Sequence, residues 1–261
     1  MAKAYWYRGR SNFGDALTEF LLANLGVTPQ ECEPAEAELV IVGSILQHLP
    51  DGWAGTVCGA GLMHGDSRID LSNADVLALR GTLTAARVTC SPGRRPIVFG
   101  DPGLLVSRFV TQPTAKYDLG IVPHWSDTRL RERYPHGRLI DVNQPPAQVV
   151  SEIASCERVI SSSLHGVVVA DAFGVPRQAE LFPQACIDGG DFKFRDYGSA
   201  LGETPRFGEM WRAPSDKVEH IQDGLWAALA VAVDQPQLSA PSPRLESEPE
   251  NAPEFTTGAT P

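Results

Sequence analysis

Several things are missing from this sequence, and each absence excludes a class of protein. No apolar run reaches the roughly 18–20 residues that span a bilayer, so the chain carries no transmembrane helix signal. Its five cysteines, Cys32, Cys58, Cys90, Cys156 and Cys186, are scattered, odd in number and free of any Cys-x-x-Cys pair. They read as reduced thiols rather than a disulfide framework or a zinc site, and no metal is expected. Dense Lys/Arg runs are absent too, and the formal net charge is −10. A nucleic-acid partner is therefore not expected. The opening "MAKAYWYRGR" lacks the apolar core of a secretory signal, which makes the cytoplasm the expected compartment. No internal repeat with matching motifs occurs. An acidic chain can still bind an anion, provided that it gathers a few cations and backbone N–H groups in one pocket.

What is present suffices for a real core: 261 residues, 43% hydrophobic and 21% charged. Short apolar runs closed by Gly or Ser, such as "LVIVGS", "GTVCGAG" and "DVLALRG", are what a parallel sheet covered on both faces requires. From Lys116 onward strands alternate with helices, through "DLGIVPH", "RLIDV", "PAQVVSEIAS", "RVISSS" and "LHGVVVADAFG". That alternation predicts right-handed βαβ units. The expected fold is α/β, with a first Rossmann-like lobe over 1–112 and a second over 113–234. A final amphipathic helix is expected over 216–233. The stretch 235–261, rich in Pro, Ser and Glu, reads as a disordered tail.

Ligands of open α/β sheets sit beyond the carboxyl ends of the strands, so polar residues there are the candidates. In "SNFGD", Asn12, Gly14 and Asp15 read first as a helix cap. "VCGAGL", with Gly61, is a weak match to a glycine-rich phosphate loop. Arg80 in "LRGTLT" fits either a bidentate anion contact or an ion pair with an acid. "GDPGLL" is explained as a turn by its Pro and Gly. His124 ends a strand, where a lone histidine is ordinarily structural. "VISSSLHG" is the strongest case, because one helix cap at Ser163 leaves Ser161, Ser162 and His165 unexplained. In "DFKFRDYGSALG" the alternatives are a solvated loop packed through Phe192 and Phe194, or Lys193 placed over an anion.

Taken in order, "NFGDAL", "IVGSIL", "VCGAG", "LRGTLT", "GDPGLL", "IVPHWSD", "VISSSLHGVVVADAFGVP" and "FKFRDY" resemble the polysaccharide pyruvyl transferase family. The likeness is to its exopolysaccharide ketal-pyruvyltransferases and covers roughly residues 1–202. It implies two Rossmann-like lobes arranged as in GT-B glycosyltransferases, with a cleft between them. It also implies phosphoenolpyruvate as donor substrate, no separate cofactor, and a sugar hydroxyl pair on a lipid-linked oligosaccharide or polysaccharide repeat as acceptor. Such an acceptor would bring the protein to the inner face of the membrane. Other branches of the family carry Arg two residues before the motif histidine, where this chain has Ser163.

The chemistry then assigns His165 as general acid, with Asp15 or Asp196 as base for the sugar hydroxyl. Arg80, Lys193 and Ser161 to Ser163 are expected to hold the donor, with Asn12, His124 and Gly61 completing the binding set. Two rival readings share the anion site: a GT-B glycosyltransferase using a nucleotide-sugar, and a non-catalytic sugar- or anion-binding protein.

Overall fold

The computed structural model describes residues 1–9, 13–91, 95–127, 129–181 and 188–234. Asn12, Cys186 and the expected tail lie outside the described residues. The chain begins with β1 (Ala2–Ala4), α1 (Phe13–Asn24), β2 (Pro29–Glu31), β3 (Leu39–Val40) and β4 (Thr56–Cys58). It continues through β5 (Ile69–Leu71), β6 (Asp75–Leu79), the one-turn α2 (Thr82–Ala85), β7 (Val88–Cys90) and β8 (Val98–Phe99). A 3-10 helix over Pro102–Arg108 leads to β9 (Gly120–Val122), α3 (Arg129–Arg133), β10 (Arg138–Leu139) and α4 (Pro146–Ala154). Last come β11 (Val159–Ser161), α5 (Leu164–Ala172), β12 (Arg177–Ala179), α6 (Phe192–Ala200) and α7 (Ser215–Ala232).

Two parallel sheets result. The first runs β2-β1-β3-β4-β6-β8 and the second β10-β9-β11-β12. Leu39, Val40, Val57, Ala78 and Leu79 are buried, as parallel strands covered on both faces should be. A pair not expected from the sequence, β5 with β7, forms a small third sheet. Its strands carry an exposed polar residue at their centres, Asp70 and Thr89, and so lack a continuous apolar run.

Helix α5 is mostly apolar, and every residue from Leu164 to Asp171 is buried. Such a helix has to be covered on every side. It packs against β11, β12, α4 and the 3-10 helix, while α1 packs against α4, α5 and the same 3-10 helix. One apolar cluster therefore runs from Ala4 in the first sheet to Leu229 in α7. The last helix returns to the first sheet, where it packs on β4, β6 and β8 with Val218, Ile221, Leu225 and Leu229 buried. The segment around Lys193 departs from the solvated loop weighed above: it is helix α6, with Lys193, Phe194, Asp196 and Tyr197 all buried.

Candidate functional site

In parallel sheets every strand ends at the same edge, and the polar residues singled out above follow strand ends. Residues from both halves of the chain line one cavity of about 290 Å³. Asp15, in the first turn of α1, contributes from the first half. Gly43 shapes the wall beside it with a left-handed φ of 119°, and a Cβ there would lie 3.5 Å from the Asp15 carboxylate. From the second half come His124 and Trp125 after β9, Ser163 and His165 at the start of α5, and Lys193 on α6.

His165 sits in the first turn of α5 and is only 8% exposed. Burial pushes its pKa down; the carboxylates of Asp101 and Asp15 oppose this, and the charges of Arg80 and Lys193 add to it. Its Nε2 is buried without a hydrogen-bond partner and lies 3.6 Å from Asp101 Oδ2. That carboxylate oxygen is also buried and unpartnered, while its twin accepts from Gly103 N–H at 2.9 Å. Asp101 thus has two functions to account for. Pro102 and Gly103 explain the turn, and Oδ1 caps it, but Oδ2 faces His165. Sequence reasoning saw only the turn.

Lys193 is the cation that reaches the cavity from α6. It is 5% exposed, donates to Asp188 O at 3.1 Å, and is held down to about 8 by burial, then by Arg80. Arg80 is placed differently from its expected role at the donor. It is fully buried, its Nε donates to Asp196 Oδ2 at 2.9 Å, Nη2 donates to Leu62 O at 2.6 Å, and Nη1 donates to the Ser44 hydroxyl. Gly61 serves this guanidinium rather than a ligand, since a Cβ there would lie 2.5 Å from Arg80 Cζ.

Asp196, expected as a base, is likewise a structural carboxylate. It accepts from Arg80, from Thr84 N–H at 2.7 Å and from the Thr84 hydroxyl at 2.6 Å, and it does not line the cavity. Two of the three serines also have local duties. The Ser161 hydroxyl lies 2.9 Å from Val122 O and accepts from Ser163 N–H at 3.0 Å. The Ser162 hydroxyl accepts from His124 N–H at 2.9 Å. Both tie β11 to the end of β9, and only Ser163 lines the cavity. It is the N-cap of α5 but makes no side-chain cap bond.

His124 Nδ1 is 2.7 Å from the Ser126 hydroxyl, and burial with the Lys193 charge lowers its pKa to about 4. It is a neutral wall of the cavity at pH 7. The structure adds residues that sequence reasoning passed over. Tyr7, 41% exposed, and Trp125, 42% exposed, both line the cavity. Each has an imidazole neighbour, His48 for Tyr7 at 6.1 Å between centroids and His124 for Trp125 at 5.3 Å. The sequence signal for Trp125 was its place beside His124 at a strand end. No cluster of His, Cys, Asp or Glu fit to hold a metal occurs among the described residues. No helix among them is long and apolar enough to cross a membrane.

This arrangement offers a buried imidazole, a buried ammonium and a carboxylate around one cavity. The polysaccharide pyruvyl transferase family profile matches residues 64–177, a stretch that includes Arg80, Asp101, His124 and His165. The chain is 31% identical over 218 residues to the succinoglycan biosynthesis protein ExoV of Rhizobium meliloti (strain 1021). That similarity covers 79% of this chain and 66% of ExoV. It is also 30% identical over 116 residues to the uncharacterized protein L143 of Acanthamoeba polyphaga mimivirus, covering 41% of this chain and 40% of L143. The chain thus spans 66% and 40% of the lengths of these two relatives.

Proposed function

The chain belongs to the polysaccharide pyruvyl transferase family, and on that premise we propose that it moves a pyruvyl group from phosphoenolpyruvate to a hydroxyl pair of a saccharide. The product is a cyclic pyruvate ketal, and phosphate is released. The observation that carries this reading is that two buried side chains, His165 and Lys193, line one cavity. We read the two sheets as Rossmann-like lobes facing a cleft in a GT-B-like arrangement, supported by a cavity wall drawn from both.

Lys193 and the start of α5 are assigned to the donor's anionic groups. A helix start with no side-chain cap, beside a cation, favours negative charge. His165 is neutral in the free site because burial outweighs its carboxylate neighbours. The donor carries up to three negative charges, which raise the histidine's pKa and make it an acid when the substrate is present. His165 then gives a proton to C3, and a sugar oxygen adds at C2. The C2–O bond to phosphate breaks, and the second hydroxyl closes the ring. Two hydroxyl protons are lost in all: one restores His165, and the other leaves with phosphate. Asp15 is assigned as base, since it lines the cavity and Asp196 does not.

Tyr7 and Trp125 are assigned to the acceptor. Exposed aromatic faces beside the reacting groups suit the apolar face of a sugar ring, and a lipid-linked oligosaccharide or polysaccharide repeat supplies one. The test is incubation of the full chain with phosphoenolpyruvate and a panel of such acceptors, reading phosphate release and the ketal methyl signal by NMR. Acceptor-dependent release is expected, and His165→Asn should lower it by at least ~10²-fold with the fold intact. Nucleotide release from a sugar nucleotide, without phosphate release from phosphoenolpyruvate, would overturn the assignment.

A further inference from the structure

We propose that Asp101 is the positioning residue of His165. It holds the imidazole as the tautomer with Nε2–H turned toward the carboxylate, so that Nδ1 is the nitrogen left for the substrate. Two buried polar atoms without partners, Asp101 Oδ2 and His165 Nε2, face each other across 3.6 Å. Buried polar groups are costly when unpaired, and each of these has the other as its nearest remedy. The separation is longer than a hydrogen bond, and catalytic hydrogen bonds are commonly long before substrate tightens them.

Among the described residues Asp101 is the carboxylate that meets Nε2, and it is the larger of the two carboxylate influences on the ring. Among the described residues, the charged groups acting on His165 are Asp101 at the N-cap of the 3-10 helix, Asp15 from α1, Arg80 after β6 and Lys193 from α6. Both cations disfavour imidazolium, so a carboxylate is needed for His165 to hold a second proton. Phe13 meets the ring edge-on at 6.5 Å between centroids and offers no acceptor. Asp101 is fully buried and anchored through Oδ1 to Gly103 N–H, which fixes the direction of Oδ2. A carboxylate held in this way can set a histidine's tautomer and stabilise its charged form.

The anchor gives a sharp substitution. In Asp101→Asn the amide oxygen keeps the cap on Gly103 N–H, which leaves the amide NH₂ facing Nε2. A donor there demands an acceptor, so the imidazole should invert to the Nδ1–H tautomer. The inference needs the pyruvyl-transfer reading only for the role given to Nδ1; the tautomer itself does not depend on it.

The experiment is long-range ¹H–¹⁵N correlation on the ¹⁵N-histidine-labelled full chain near pH 7.5, with His165 signals assigned by their loss in His165→Gln. The unmutated protein should show Nε2–H, and Asp101→Asn should show Nδ1–H with an unchanged circular dichroism spectrum. Nδ1–H in the unmutated protein overturns the proposal, whatever the variant does. An unchanged tautomer in a folded Asp101→Asn also overturns it. With phosphoenolpyruvate, the variant should lose at least ~10²-fold in kcat with little change in the donor's KM. A raised KM at constant kcat would overturn the positioning role. Should the tautomer results hold while the unmutated protein transfers no pyruvyl group, the pairing stands and the transfer reading falls.

Discussion

Replacing Arg80 by Ala removes a fully buried guanidinium from three partners at once: Asp196, the Ser44 hydroxyl and Leu62 O. The Asp196 carboxylate remains inside, and so does the carbonyl. Breaking a buried ion pair from one side costs about 3–5 kcal/mol. Thr84 still donates to both oxygens of Asp196, so the lower end, ~3 kcal/mol, is expected. For a chain of this size that corresponds to a fall in Tm of about 6–12 °C. Arg80→Lys should recover only part of the loss, because an ammonium reproduces the charge but not the three-way fork. Urea unfolding of the three proteins reads the stability, and phosphoenolpyruvate titration of the folded proteins reads the ligand. Donor affinity should change little, since no Arg80 donor reaches the cavity. The His165 pKa should rise in Arg80→Ala, because Arg80 is one of the charges that depress it. An Arg80→Ala protein as stable as the parent but unable to bind donor would refute this reasoning.

Lys193, held down to about 8, is charged at pH 7 and loses its proton as the pH rises through 8. Donor affinity should therefore fall above pH 8, by about 10- to 100-fold for one charge-assisted contact; Lys193→Met should flatten that step, and Lys193→Arg should move it upward. Trp125→Ala should raise the acceptor's KM by about 2- to 10-fold, the worth of one aromatic face, and leave the donor's KM unchanged. Steady-state titration of each substrate at saturating partner separates the two.

Much of the fold is legible because burial on both faces leaves a mark in one dimension. The run "LHGVVVADAFG" has no solvated charged face, which fits a central helix, and α5 is that helix. The strand ends are marked by small residues for the same reason. Helix α6 was harder to read, because Lys193 and Asp196 look like a solvated face. Asp196 meets Arg80 and Thr84, 116 and 112 residues away, and Lys193 turns its ammonium to Asp188 O. Strands β5 and β7 were hidden for a different reason: each has an exposed polar residue at its centre, Asp70 or Thr89, and so lacks the continuous apolar run of the buried strands.

The site divides along the same line. Parallel strands send every following loop to one edge, so polar residues after strands mark where a ligand lies without a map of the fold. Which of them face the ligand depends on strand order and side-chain reach. Arg80 and Asp196 both looked like ligands, yet each is the other's partner. Ser162 looked like a phosphate donor, yet its hydroxyl accepts from His124 N–H, 38 residues earlier. Asp101 failed in the opposite direction, because a complete local account of "GDPG" hid the oxygen turned toward His165. Arg80 and Asp196 neutralise each other behind the cavity rather than lining it. On the proposed reading the donor falls to Lys193, the start of α5 and His165, whose pKa a bound anion would raise.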